Sequence, residues 1–217
     1  MKQETLTVLK NFASINKSIR IREGKQLMIF NANIPLFAVA NVEDEFPKSF
    51  SLYDLNQWLS TLSLFNEPQI NFQEKHMEIS SGRIKAKYRY SPATITSDQP
   101  DFIPPMPSTN FSFYLPKEQL QEILKAASVM GLKELEFSSN GLKLYTTDSK
   151  GEILDNEYDS AIEGLKVFNE DAGPAKIKVE ALKLLPLDYE IEINDIAAIF
   201  KSTCGNYTYY SGLLVRS

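Results

Sequence analysis

The sequence predicts an α+β fold made from a repeated β-α-β-β-β unit, and three stretches predict it. Ser49–Ser91 reads as a strand (Ser49–Tyr53), a helix (Asp54–Phe65) and three further strands (Gln69–Gln73, His76–Ser80 and Arg83–Tyr90). The same order returns from Asn110, where Phe111-Ser112-Phe113-Tyr114 mirrors Phe50-Ser51-Leu52-Tyr53. A helix (Pro116–Val129) and strand-like runs at Glu134–Ser138, Gly141–Thr147 and Glu157–Ile162 follow it. From Ala175 it returns again, with a short helix at Glu180–Leu185 and strands at Tyr189–Asn194, Ala197–Lys201 and Asn206–Leu213. A fourth copy, without its first strand, opens the chain. Internal repetition decides architecture before any single residue does. The expectation is two similar domains (residues 1–91 and 110–217), each of two units, joined by a connector (92–109). Their helices would lie on one face of a curved antiparallel sheet.

Composition fits this. Of the 217 residues, 43% are hydrophobic and 24% charged, enough apolar material for two cores. No apolar run approaches the roughly 18 residues that span a bilayer, and MKQETLTVLKNF interrupts the apolar stretch a signal peptide needs, so no membrane role is expected. One cysteine, Cys204, precludes an intrachain disulfide and fits a reducing compartment. The net charge of −5 argues against a protein that coats nucleic acid. Its distribution says more: residues 2–25 carry six basic and two acidic groups, while residues 150–171 carry seven acids and two lysines.

Each element has its own warrant. Thr5–Asn16 places Leu6, Leu9 and Phe12-Ala13 on one helical face and Lys10, Asn11, Ser14 and Lys17 on the other. Strands at Ser18–Arg22 and Gln26–Asn31 flank the turn Glu23-Gly24-Lys25. The next apolar run resumes after Pro35 at Leu36–Val42, and Glu43–Lys48 reads as a loop. Asp54 is an N-cap candidate for a helix whose inner face is Leu55, Trp58-Leu59, Leu62 and Phe65. Its outer face, Asn56, Gln57, Ser60, Thr61 and Ser63, is uncharged, which suits either open solvent or a polyanion. Ser91–Thr109 holds five prolines, which stiffen it as an extended connector. Phe102, Ile103 and Met106 within it either pin the connector to the domains or edge a hydrophobic groove for a partner peptide. In the second half, Leu120, Ile123-Leu124 and Ala127 face inward and Asn140-Gly141 signals a hairpin. Lys150–Gly173 reads as an acidic loop with one strand, and Pro186 stops the last helix.

Catalytic signals are missing from the sequence. Neither GxxxxGK[ST] nor GxGxxG occurs, so no phosphate-cradling loop is indicated. His76 has no second ligand at metal spacing, and Cys204 has no nearby histidine to activate it. Asp188, Glu190, Glu192 and Asp195 could suggest a metal, but Glu190 and Glu192 alternate with Ile191 and Ile193 as on the wet face of a strand. We expect neither enzyme activity nor cofactor nor metal; a small hydrolase would need a nucleophile–base pair that is absent.

Two strands carry opposite charge. Arg83, Lys85, Lys87 and Arg89 fall on one side of theirs, and Asp155, Glu157 and Asp159 on one side of the other. Rows of like charge protect an edge from self-pairing; opposite rows favour pairing with each other. The edges are either simply solvated or meet head to tail between subunits, which closes a ring where the rotation fits. Such a ring would turn the helices inward, and with them Lys2, Lys10, Lys17, Lys117, Lys125 and Lys183. Lysines without base-reading partners suit sequence-independent contact with the phosphates of duplex DNA. The alternative is a β-rich protein–protein adaptor that never encircles DNA.

Leu9-Lys10-Asn11-Phe12-Ala13-Ser14-Ile15-Asn16, Tyr53-Asp54-Leu55-Asn56 and Leu62-Ser63-Leu64 carry a family resemblance over roughly the first ninety residues. There the chain resembles the sliding clamps of T-even-type bacteriophages, the DNA polymerase processivity factors. Beyond the connector the likeness is one of repeat pattern, though Tyr209-Tyr210-Ser211-Gly212 is similar to the closing strand of cellular clamps. The resemblance implies the DNA-clamp fold, a homotrimeric ring, an ATP-dependent clamp loader and a tether for the replicative DNA polymerase. It also implies contact with late-transcription sigma and co-activator factors, and action in the cytoplasm of an infected bacterium. By position it implies a pocket for the polymerase's C-terminal peptide made by Phe30, Ile34, Pro35, Phe102, Ile103, Ile196 and Tyr210.

Overall fold

Apolar residues three and four apart open the chain and bury Val8, Leu9, Phe12 and Ile15, one face of helix α1 (Gln3–Ile15). The computed structural model describes residues 1–96, 99–138, 140–148, 150–154 and 156–214. It divides into two units, Met1–Asn31 with Phe37–Ile103, and Ala32–Leu36 with Pro104–Ser217.

In the first unit α1 leads to β1 (Ile19–Ile21), β2 (Gly24–Asn31), β3 (Leu36–Phe46) and β4 (Phe50–Leu52). β1 and β4 pair antiparallel, with Ile19 opposite Leu52 and Ile21 opposite Phe50. Helix α2 (Leu55–Leu62) starts where Asp54 Oδ1 accepts the Gln57 N–H at 2.8 Å, the expected cap. Leu55, Trp58 and Leu62 are buried beneath it, and the Trp58 indole donates to Met77 Sδ. The antiparallel sheet β5 (Gln69–Phe72), β6 (His76–Ser81) and β7 (Ile84–Arg89) completes the unit, with β7 at one end. The rings of Phe46, Phe50, Phe72 and Tyr90 cluster inside, with Phe50 and Tyr90 stacked at 5.0 Å.

The second unit repeats the plan: β8 (Phe111–Leu115), α3 (Lys117–Met130), then β9 (Glu134–Ser138), β10 (Gly141–Tyr145) and β11 (Tyr158–Ser160). Leu120, Ile123 and Ala127 form the buried face of α3, and Gly131, left-handed at φ 70°, ends it. β12 (Glu163–Val167), β13 (Ala175–Lys178), β14 (Tyr189–Ile193), β15 (Ala197–Ser202) and β16 (Tyr207–Gly212) follow. The strands lie in the orders β11-β10-β9-β13 and β12-β8-β14-β15-β16. Gly141 is required at the β9–β10 turn: its φ is 137°, and a Cβ there would stand 2.8 Å from the Ser160 carbonyl oxygen.

Four elements differ from the sequence reading. The expected loop at Glu43–Lys48 is strand as far as Phe46, because Val42 and Phe46 point inward beneath exposed Glu43 and Glu45. The acidic stretch holds a second strand, β12, which has no buried side chains and is held by backbone pairing to β8 across a register shift. The last helix is a 3-10 turn, Val179–Ala181. There Ala181, Leu182, Leu184 and Leu185 are all buried, but Leu182, at ψ 33°, has already left helical geometry, so the run stops after one short turn. The connector opens with a 3-10 turn of its own at Ala93–Thr96.

Candidate functional site

The lysines expected to meet DNA take different settings. Lys10, on the solvent side of α1, and Lys125, on that of α3, are exposed and have no ion pair among the described residues. Lys17 is exposed but anchored: its Nζ donates to Tyr53 Oη at 3.1 Å and stands 4.7 Å from that ring's centroid. Lys2 caps the N-terminus of α1, the end where the helix dipole disfavours a cation. Glu43, 2.8 Å away, offsets this and holds the ammonium pKa up. Lys117 opens α3 half-buried, with its backbone N–H on Asp188, and Lys183 is half-buried after the second 3-10 turn. Lys2, Lys10 and Lys17 therefore belong to the first unit, and Lys117, Lys125 and Lys183 to the second.

The two charged edges lie at the ends of their sheets. Arg83, just before β7, and Lys85, Lys87 and Arg89 on it are exposed, while Ala86 and Tyr88 are half-buried. Tyr88 Oη donates to the Asp54 carbonyl and to Gln57 at 3.2 Å, tying β7 to the start of α2. Burial and the charge of Asp54 raise that phenol's pKa. β11 ends the other sheet, with Glu157 and Asp159 exposed; Asp155 lies outside the described residues. Lys143 reaches Glu157 at 2.6 Å and pairs in register with Asp159, so the acidic row is partly balanced from within its own chain. The paired Glu157 holds the Lys143 pKa up.

The residues expected to take a peptide divide between the units. Phe30, half-buried, and Phe102 and Ile103, both exposed, are in the first; Ile34, Pro35, Ile196 and Tyr210 are in the second. Within the second unit three neighbours draw together. The Gly212 N–H donates to the Pro35 carbonyl at 2.8 Å, and the Leu213 N–H to that of Ile196 at 3.0 Å. A Cβ on Gly212 would meet Pro35 Cβ at 3.1 Å. Beside Ile196, a hollow of ≈ 550 Å³ is lined by Ile193, Asn194, Leu213 and Leu214. Tyr210 lies two register steps from Gly212, opposite Ile199, with its phenol pKa raised by burial and by Glu192.

Comparison with known proteins adds to this geometry. The DNA polymerase processivity factor family matches residues 2–98, the span that includes Leu9–Asn16 and Tyr53–Asn56. Over 207 residues the chain is 30% identical to the sliding clamp of Vibrio phage KVP40, covering 89% of this chain and 90% of that one. The chain belongs to the phage sliding-clamp family. Its fold is that of clamps generally. A Pseudomonas aeruginosa sliding clamp superposes with a TM-score of 0.66 at 16% identity, over 99% of this chain and 63% of that longer one. An A. fulgidus PCNA solved with the C-terminal region of FEN-1 gives 0.65 at 10% identity, over 98% and 95%.

Some residues that shape this clamp's surfaces escaped the sequence reading. Lys143 was not singled out, although alternation along β10 puts it on the polar face. Gly212 was legible, since glycine inside a strand marks close approach by another backbone. Gln99, 5% exposed within a polar, proline-rich run, gave no signal at all. His76 stands opposite Arg89 and 3.5 Å from Glu78, and the exposed Cys204 is 3.3 Å from Ser202 Oγ. No helix of the described residues is long and apolar enough to cross a membrane.

Proposed function

We propose that this chain is one subunit of a homotrimeric ring that encircles duplex DNA without reading sequence and tethers the replicative DNA polymerase for processive synthesis. The observation that carries this reading is the near full-length match to a phage sliding clamp. In it, residues 1–91 and 110–217 are the clamp domains and 92–109 the connector. Lys2, Lys10, Lys17, Lys117, Lys125 and Lys183 face DNA phosphates. The basic β7 edge of one copy (Arg83, Lys85, Lys87 and Arg89) meets the acidic edge of the next (Asp155, Glu157 and Asp159). Phe30, Ile34, Pro35, Phe102, Ile103, Ile196 and Tyr210 take the C-terminal peptide of the polymerase. The clamp performs no catalysis, acts in the cytoplasm of the infected bacterium, and depends on an ATP-driven loader to open and close it. The ring is also a platform for late-transcription sigma and co-activator factors.

Topology supplies the test. Clamp loaded on nicked circular duplex with loader and ATP should stay bound through gel filtration, and leave when a restriction enzyme linearises the circle. Clamp that stays on linear DNA, or never stays on the circle, would leave the adaptor reading standing instead.

A further inference from the structure

Thr96, Gln99, Pro100 and Asp101, shortly before Phe102, are each fastened to the first unit. Ser51 Oγ and Thr96 Oγ1 share a buried hydrogen bond of 3.0 Å. Gln99 Oε1 accepts the Arg20 N–H at 3.0 Å, and its Nε2 donates to the Ser18 carbonyl at 2.9 Å. β1 pairs with β4 on its other side. One amide side chain therefore stands in for a neighbouring strand, satisfying a donor and an acceptor that β1 turns away from β4. Next along the chain, Arg22 Nη2 donates to the Pro100 carbonyl at 3.0 Å and to Asp101 Oδ1 at 2.6 Å, and Arg20 Nη1 approaches the same oxygen at 3.4 Å. The Arg22 guanidinium holds the Asp101 carboxyl below the usual carboxylate range. Phe102 and Ile103 follow at once, 67% and 41% exposed.

Two large apolar side chains directly beyond a tethered point are apolar surface held in place ahead of any partner. We propose that Gln99 and Asp101, gripped by β1 and by Arg20 and Arg22, form a clasp that presents Phe102 and Ile103 to an apolar partner peptide. Gln99, Asp101 and Arg22 are then positioning residues for capture. This rests on the peptide-binding reading above, in which the partner is the polymerase's C-terminus. The physical gain is preorganisation: residues already ordered in the free clamp need not be ordered on binding. The clasp lies wholly in the first unit, so its effect on the connector does not depend on the second.

The test uses the full chain and a labelled synthetic peptide of the phage polymerase's C-terminus. Asp101→Asn alters one exposed side chain, and Gln99→Ala removes the strand substitute. With both changes, backbone amides 101–103 should exchange hydrogen faster and the peptide bind about tenfold more weakly, at unchanged sedimentation mass. Arg22→Ala should weaken binding likewise, and Arg22→Lys, which keeps a donor and the charge, should recover part of it. Faster exchange with unchanged peptide affinity overturns the clasp. So does weaker binding without faster exchange. Phe102→Ala with Ile103→Ala is the separate control: if it leaves affinity unchanged, the peptide site itself is wrong, whatever the clasp does.

Discussion

If opposite edges close the ring, reversing Lys85, Lys87 and Arg89 to glutamate should open it. Each cation stands exposed on the same side of β7, spaced two residues apart. Each substitution replaces an attraction with a repulsion. An exposed ion pair contributes on the order of 0–1 kcal/mol, and facing like charges cost a similar amount. The acids opposite do not all count equally. Lys143 is held by Glu157 at 2.6 Å and pairs in register with Asp159, so both acids weigh only in part. The loss is then roughly 2 kcal/mol per interface, or about 30-fold in its dissociation constant. Because a closed trimer loses three interfaces over two association steps, sedimentation equilibrium across protein and salt concentration should show the triple variant losing trimer mass at roughly 150-fold higher concentration than the parent. Salt should narrow the gap, because exposed charges are screened within about 8 Å at physiological ionic strength. Lys143→Ala is the reciprocal perturbation: it frees Glu157 and should tighten assembly. A triple variant that sediments as the parent does, at every salt, would refute the electrostatic edge.

Lys10→Glu with Lys125→Glu should preserve fold and oligomer, since both side chains are exposed and lack ion pairs among the described residues, yet shorten the products of primer extension; full-length products would argue against a DNA-facing role. Trp58→Ala removes a fully buried ring packed edge-on against Phe50 and should destabilise the first unit by ~3–5 kcal/mol, read by denaturant unfolding. The connector should also respond to acid. Because Asp101 has a lowered pKa when folded, its contribution is present above the ordinary carboxylate value and lost as pH falls through the lowered one. Exchange of amides 101–103 should thus be protected equally at pH 7 and pH 5, and loosen only below about pH 4; loosening near neutrality would point to a different tether.

Much of the architecture was legible because it is local. The α2 boundary follows from Asp54 and from Leu55, Trp58 and Leu62 at helical spacing, and the structure places the cap and the buried face there. β9 runs over the residues its alternation marks, Glu134–Ser138. The charged rows on β7 and β11 needed only the two-residue period of a strand. The parts that could not be read are those whose cause lies elsewhere in the chain. β12 buries no side chain and exists because β8 offers it backbone partners. Gln99 is an ordinary polar residue until β1 presents Arg20 N–H and the Ser18 carbonyl to it.

By itself, then, the sequence determined the repeat, the two-part plan, the helix faces and the family, all encoded in side-chain type at fixed short spacing. Tertiary structure alone decided that Lys143 answers the acids of β11, that Pro35 rests on Gly212, and that the connector is clasped before Phe102. Those contacts join residues up to 177 positions apart in the chain. No local propensity reports such distances, because the partners become neighbours only once the strands between them have paired.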